Sequence, residues 1–222
     1  MNNLVLPLFT DVESPAGWAP NCSALSVLDV TMGHRGMQKE IKRFGIEGNI
    51  VSVDIRSQMT NGMKPDVVAD SRALPQQNDS QDLVLFDPPF SFHGKKSCGN
   101  TEYNRFYVTY GLNLYTTRSE LGDYIEKTFR EIWRVLKHGG TCLLKWSESR
   151  IKLEWVLALK GELTIEKRWQ RPSKHWGTKT GTATWYVWLN KPNDKLSDGA
   201  NYQRRSNEKE INAKGQNRRS LQ

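Results

Sequence analysis

Four short apolar segments that each end at or next to an aspartate constrain the fold of this chain more than any other feature. The segments are Ala24–Val30, Asn49–Asp54, Asp66–Asp70 and Gln81–Asp87. Apolar, β-branched runs of this length, bounded by turn residues, are typical of buried strands. Ligands of open α/β sheets bind beyond the carboxyl ends of the strands, so the four aspartates are predicted to meet at one crevice. They are Asp29, Asp54, Asp70 and Asp87. For any one of them alone, the alternative is a loop carboxylate that caps the following helix.

The rest of the chain alternates between helical and strand patterns. Thr117 and Glu120 have the spacing of a capping box, and an apolar stripe continues from there to Gly139-Gly140. Further helices are predicted at Gly36–Phe44 and Ile151–Leu159, and further strands at Thr141–Trp146, Glu162–Trp169 and Ala183–Leu189. This alternation predicts an α/β fold with a mostly parallel central sheet, and the last two strands are predicted to form an antiparallel edge hairpin.

Composition changes at both ends of the chain. Residues 1–20 contain three prolines and no sustained period, which predicts an irregular lead-in. The length of 222 residues favours one domain, which we place at 21–190. Residues 191–222 hold eight Lys and Arg against four Asp and Glu with few large apolar side chains, which predicts a disordered tail.

The overall charge favours an anionic partner. A formal net charge of +8 and a pI near 9.4 favour an anionic partner such as nucleic acid. Half of the excess lies in the tail, for which a solvated state is favoured over contact with nucleic acid. The three cysteines lack a paired spacing, and the sequence contains no apolar run of membrane-spanning length. We therefore expect a cytoplasmic protein with no membrane partner. The four histidines lack metal-ligand spacing, so no metal is predicted.

Several motifs resemble one enzyme family. Leu28–Gly33 is followed by Val53–Arg56, by Pro65–Asp70, by Asp82–Pro89 and by Leu144–Glu148. Over roughly residues 24–190, this series resembles the class I, Rossmann-like methyltransferases that use S-adenosyl-L-methionine. Within them it is similar to the amino-methyltransferases with an Asp-Pro-Pro-aromatic motif, and specifically to small stand-alone phage and bacterial DNA methyltransferase-like proteins.

The resemblance implies roles for the cofactor side of the crevice. Asp29, Thr31 and Gly33 would face the methionine part of S-adenosyl-L-methionine. Asp54 would accept hydrogen bonds from the ribose hydroxyls, which suits a carboxylate facing a vicinal diol. Asp70 would contact the adenine amino group. The usual Gly-x-Gly turn of the family is Thr31-Met32-Gly33 here.

The motif Asp87-Pro88-Pro89-Phe90 implies catalysis on an amine. The lone pair of an exocyclic base amine is delocalised into the ring, so an enzyme must accept its N–H groups to favour the attacking nitrogen. The Asp87 carboxylate and the Pro88 carbonyl can accept both, while the two prolines fix the direction of that carbonyl. Phe90 can stack on a base that has left its helix. The alternative is a strand followed by a rigid turn.

Two segments combine basic and aromatic side chains as nucleic-acid-binding loops do. Residues 91–118 include Lys95, Lys96 and Arg105, and residues 167–182 include Lys174. The first segment can also be a lid over the cofactor. For the second, the alternative is a twisted hairpin loop whose tryptophans are packed.

The sequence therefore predicts an S-adenosyl-L-methionine-dependent methyltransferase of a base amine, with N6 of adenine in DNA favoured. Alternatives are an rRNA or tRNA base methyltransferase and a catalytically silent nucleic-acid-binding partner. Methylation of a protein side-chain amide is less favoured, because relatives of that kind carry Asn at the position of Asp87. The target sequence, the choice between adenine, cytosine and guanine, any protein partner and a homodimer are left open.

Overall fold

The structure, a computed structural model, describes residues 25–92, 115–148, 151–172 and 183–193. The chain divides into two units, residues 1–191 and 192–222, and the helices and strands described all lie in the first. The predicted lead-in at 1–20 and nearly all of the predicted tail fall outside the described residues, so the domain boundaries stay predictions.

Seven strands and three helices make up the described part of the chain. In order they are β1 (Leu25–Asp29), α1 (Gly36–Arg43), β2 (Gly48–Asp54), β3 (Val67–Val68), β4 (Gln81–Phe86), α2 (Arg118–Val135), β5 (Leu136–Glu148), α3 (Leu153–Leu157), β6 (Thr164–Pro172) and β7 (Ala183–Asn190).

The strands form one sheet in the order β3-β2-β1-β4-β5-β7-β6. Strands β1 to β5 pair in parallel, whereas β7 runs antiparallel to both β5 and β6. The predicted α/β fold, with a mostly parallel sheet and an antiparallel edge, is confirmed. The strand order reverses between β1 and β4, and such a switch point is where open α/β sheets bind ligands.

Alternate residues of the central strands face two hydrophobic cores, one on each side of the sheet. Leu28 and Val84 belong to the core that includes α2 and α3. Val27 and Leu83 belong to the core that includes α1. Both faces of the parallel strands are therefore covered, which explains why these strands read as nearly continuous apolar runs.

Two predicted elements are shorter in the structure, and the predicted capping box is formed in part. Strand β3 has only two residues, and just before it the Asp66 carboxylate accepts the backbone N–H of Ser52 at 2.8 Å. Helix α3 is shorter than predicted and is followed by a turn with Gly161 at φ 62°. The predicted cap of α2 is present, since Thr117 Oγ1 accepts the Glu120 N–H at 3.1 Å. The Glu120 carboxylate returns to Thr116 rather than to Thr117.

No helix among the described residues is long and apolar enough to cross a membrane.

Candidate functional site

A cavity of about 420 Å³ lies at the carboxyl ends of the parallel strands. It extends from the loop that follows β1 to the end of β5. Its walls carry most of the residues that the sequence singled out, namely Thr31, Gly33, Asp54, Asp70, Asp87, Pro88, Pro89 and Phe90. Asp29 is not among the lining residues.

The loop after β1 turns sharply beside the cavity. Gly33 has φ 47° and Arg35 has φ 57°, a left-handed conformation that L side chains rarely adopt. The Gly33 N–H donates to Asp54 Oδ2 at 3.2 Å, and the Thr31 hydroxyl accepts the Asp87 N–H at 2.7 Å. Threonine at the position of the family glycine therefore ties this loop to the Asp-Pro-Pro-Phe segment.

Asp54 ends β2 with its side chain only 6% exposed. Its two oxygens accept hydrogen bonds from the Arg56 side chain, at 2.9 Å from Nε and 3.0 Å from Nη2. The backbone N–H groups of Arg56 and Gly33 complete the set. A ligand hydroxyl that uses this carboxylate must therefore displace at least part of the Arg56 guanidinium.

Asp70 follows β3 and forms a similar pair with the arginine two residues later. Arg72 Nη2 lies 2.6 Å from Asp70 Oδ2, and hydrogen bonds from Arg72 hold the pKa of Asp70 below its ordinary value. Tyr115 and Tyr124 lie beside this pair with ring centroids 4.9 Å apart, and both line the cavity. Burial raises the pKa of Tyr124 to about 12, so both phenols stay neutral hydrogen-bonding groups at neutral pH.

Asp29 is fully buried behind the cavity wall. Gln38 of α1 donates to its Oδ2 at 2.9 Å, and the Thr31 N–H donates to its Oδ1 at 3.4 Å. Burial raises the pKa of this carboxyl to about 7. The expectation that four aspartates meet in one crevice therefore holds for three. Asp29 supports the loop at Thr31 from behind, and a direct contact with a ligand stays a prediction for it.

Asp87 begins the Asp-Pro-Pro-Phe segment immediately after β4. Phe86 pairs with Leu144 in parallel register, which brings Lys145 of β5 alongside Asp87. Lys145 Nζ lies 2.5 Å from Asp87 Oδ2, and both side chains remain about one quarter exposed, at 26% and 28%. No hydrogen bond from another described residue reaches Asp87 Oδ1. Within the described part of the chain, this oxygen is therefore an acceptor that a ligand can use.

Several residues that line the cavity have no role predicted from the sequence. Lys145 and Ser147 project from β5, and Thr184, the strand partner of Ser147, comes from β7. They extend the cavity past Asp87 with polar groups. The available signal was a lysine that directly follows the apolar run Cys142–Leu144, since central strands rarely contain a charge without a partner. Ile55, 52% exposed, adds apolar surface next to Asp54.

The predicted nucleic-acid contacts Lys95, Lys96, Arg105 and Lys174 lie outside the described residues. In the second basic segment, Trp169 stacks on Tyr186 with centroids 5.3 Å apart. Arg171 Nη2 donates to the buried Glu40 at 2.8 Å. The alternative of a packed tryptophan thus holds for Trp169.

No protein-family model matches the sequence, and no curated protein is significantly similar to it. Solved structures do resemble it. TrmN from Thermus thermophilus superimposes with a TM-score of 0.50 at 14% identity, over 76% of this chain and 44% of that protein. This likeness and the strand order decide the architecture. The chain has the class I methyltransferase fold.

Two further neighbours of this fold score slightly lower. A SAM-dependent methyltransferase from Methanosarcina mazei has a TM-score of 0.49 at 12% identity, over 77% of this chain and 94% of that one. The N-methyltransferase NodS from Bradyrhizobium japonicum has a TM-score of 0.47 at 10% identity, over 77% of this chain and 87% of that one. At identities this low, the chemistry has to be argued from the residues of the site.

Proposed function

We propose that this chain is an S-adenosyl-L-methionine-dependent methyltransferase that acts on an exocyclic amino group of a nucleobase, with N6 of adenine in DNA as the favoured target. One observation carries the proposal. The Asp87–Phe90 segment lines the same cavity as Gly33, Asp54 and Asp70. A cofactor site and an amine site can therefore share one space within a class I methyltransferase fold.

The cofactor half of the cavity fits the proposed ligand in size and in chemistry. Its volume of about 420 Å³ lies in the usual range of small-molecule sites. Asp54 offers a carboxylate for a vicinal diol, once the Arg56 side chain moves aside. Ile55 supplies an apolar surface for a ring, and Asp70, whose oxygens accept from Arg72, lines the same cavity. When bound, S-adenosyl-L-methionine supplies an electrophilic methyl group on its sulfonium.

The amine half is built on Asp87. Its Oδ1 and the carbonyl oxygen of Pro88 are the acceptors that we assign to the two N–H groups of the target amine. Two accepted hydrogen bonds localise the lone pair on the nitrogen, which makes it a better nucleophile. Pro88 is buried, so its position is fixed by packing as well as by the proline ring. We assign the Phe90 ring, which lines the cavity, to stack on the base.

The net charge of +8 supports a polyanionic substrate. A target base in a duplex has to leave its helix to enter the cavity. Opening an A·T pair costs less free energy than opening a G·C pair, which favours adenine over cytosine. RNA bases carry the same amines, so the test has to offer both polymers.

The test is methyl transfer to unmethylated DNA and to unmethylated RNA in separate reactions, using labelled S-adenosyl-L-methionine. Mass spectrometry of the nucleosides then identifies the product. We expect N6-methyladenine in the DNA reaction and its loss in Asp87→Ala. The matched control is Asp82→Ala, which removes another β4 carboxylate that pairs with a β5 lysine, Lys137. Label in RNA alone would replace DNA by RNA as the substrate. Cofactor binding with label in neither polymer would contradict the proposal and favour a silent binding role.

A further inference from the structure

Among the described residues, Lys145 is a charged group beside Asp87 that the catalytic motif does not explain. Its ammonium lies 2.5 Å from Asp87 Oδ2, on the strand next to the motif, and the residue lines the cavity. A lysine ammonium carries three N–H donors, so it can donate to Asp87 and to an atom of a ligand at the same time. The cavity therefore presents an acceptor, Asp87 Oδ1, directly beside a charged donor.

This pairing of donor and acceptor constrains what can bind. A target amine that gives its N–H to Asp87 must place the neighbouring atom of the substrate against the lysine. That atom has to be an acceptor, because a second N–H or an ammonium there would face a fixed positive charge. Adenine offers an amine beside the unprotonated ring nitrogens N1 and N7.

We infer that Lys145 is a specificity-determining residue that donates a hydrogen bond to the ring nitrogen beside the target amine, so that Asp87 and Lys145 together read the amine and its neighbour. This inference rests on the proposed function. It selects bases in which an amine adjoins an unprotonated ring nitrogen and rejects aliphatic amines, which lack the acceptor and carry a positive charge of their own.

Neighbouring side chains support this role. Ser147 lies two residues beyond Lys145 on β5, so both project from the same face of the strand. Thr184 pairs with Ser147 across the sheet and also lines the cavity. The wall next to the lysine is therefore polar, as a surface that holds the edge of a base requires, whereas Phe90 offers the ring that can cover its face.

A simpler role for Lys145 is to hold the Asp87 carboxylate in place. The two roles differ in their dependence on the substrate. A residue that only positions Asp87 affects all substrates equally. A donor to N1 or N7 matters only when that nitrogen is present.

The experiment compares oligonucleotides that carry adenine, 1-deazaadenine or 7-deazaadenine at the target position, with wild-type protein and with Lys145→Met. In the wild type, we expect one of the two analogues to lower kcat/KM by about 10-fold or more, as for loss of a hydrogen bond to a charged donor. In Lys145→Met, adenine itself should be slower by a similar factor, and the discrimination between adenine and that analogue should disappear.

Lys137→Met is the matched control, since Lys137 lies on the same strand and pairs with a β4 aspartate at 2.7 Å. Lys137→Met should discriminate between adenine and the analogue as the wild type does. Lys145→Gln, which keeps a neutral N–H donor, is a second variant in case Lys145→Met folds poorly. It should retain part of the discrimination between adenine and the analogue. Equal discrimination in wild type and Lys145→Met overturns the inference while leaving the proposed function intact. Absence of transfer to adenine in the wild type, in DNA and in RNA, overturns both.

Discussion

The backbone N–H of Asp87 donates to the hydroxyl of Thr31 across 2.7 Å, so the loop after β1 fixes the first residue of the Asp-Pro-Pro-Phe segment. This hydrogen bond joins the two segments of the cavity wall that we propose for the cofactor and for the target amine. A substitution of Thr31 should therefore alter the position of Asp87 as well as the binding of the cofactor.

We expect Thr31→Val, which keeps the shape and removes the acceptor, to lower the transfer rate by roughly 10-fold and the free energy of unfolding by about 1 kcal/mol. Thr31→Ser keeps the hydroxyl and should stay close to wild type in both. The measurements are single-turnover transfer and denaturant unfolding. A Thr31→Val protein with an unchanged transfer rate would show that the bond does not position Asp87.

Asp29 should make stability depend on pH. Burial raises the pKa of this carboxyl from 3.8 to about 7, so between these values the unfolded chain ionises it while the folded protein keeps it protonated. The unfolded state then binds fewer protons, and the free energy of unfolding falls as the pH rises through this interval. Below pH about 4 the carboxyl is protonated in both states, and its cost disappears.

We therefore expect Asp29→Asn to match wild type near pH 4 and to be more stable by on the order of a few kcal/mol at pH 8. An asparagine oxygen can still accept the Gln38 amide N–H. Asp123→Asn, at a position 53% exposed on α2, is the control and should follow the wild-type curve. A difference in the free energy of unfolding between wild type and Asp29→Asn that stays constant from pH 4 to pH 8 would refute the raised pKa of Asp29.

Strands β1 and β2 approach each other closely at Gly48. A methyl group there would lie 2.6 Å from the Leu25 carbonyl oxygen on β1, a backbone atom that cannot move without shifting the strand. We expect Gly48→Ala to lower the free energy of unfolding by about 1 to 3 kcal/mol.

Gly36, at the start of α1, is the matched position because nothing lies within 4 Å of an added methyl group. Gly36→Ala should be neutral or slightly stabilising. Thermal unfolding of the two variants separates a steric cost from a general effect of replacing glycine. Equal melting temperatures would contradict the close approach.

Much of the architecture could be predicted from the sequence, because apolar runs that end in aspartate mark buried parallel strands. Asp54 and Asp87 lie at the strand ends where the pattern placed them. Such a pattern records the end of a strand but not the direction of the side chain. That is why Asp29, which Gln38 holds in the interior, was expected at the crevice.

The partners of the cavity carboxylates could not be predicted in the same way. Arg56 and Lys145 become informative only when the turn after β2 and the register between β4 and β5 are known. Register depends on contacts distant in sequence, and no local pattern reports it. The sequence thus indicated the chemistry of the acceptors and missed the cations that compete for them.

The central claim is that the cavity binds S-adenosyl-L-methionine with Asp54 on the ribose. Calorimetric titration with S-adenosylhomocysteine, the product form of the cofactor, tests it without turnover. We predict binding of one equivalent to the wild type and an affinity lower by about 10-fold or more in Asp54→Asn, with Asp123→Asn unchanged. No binding to the wild-type protein, or equal affinity in Asp54→Asn, would contradict the account.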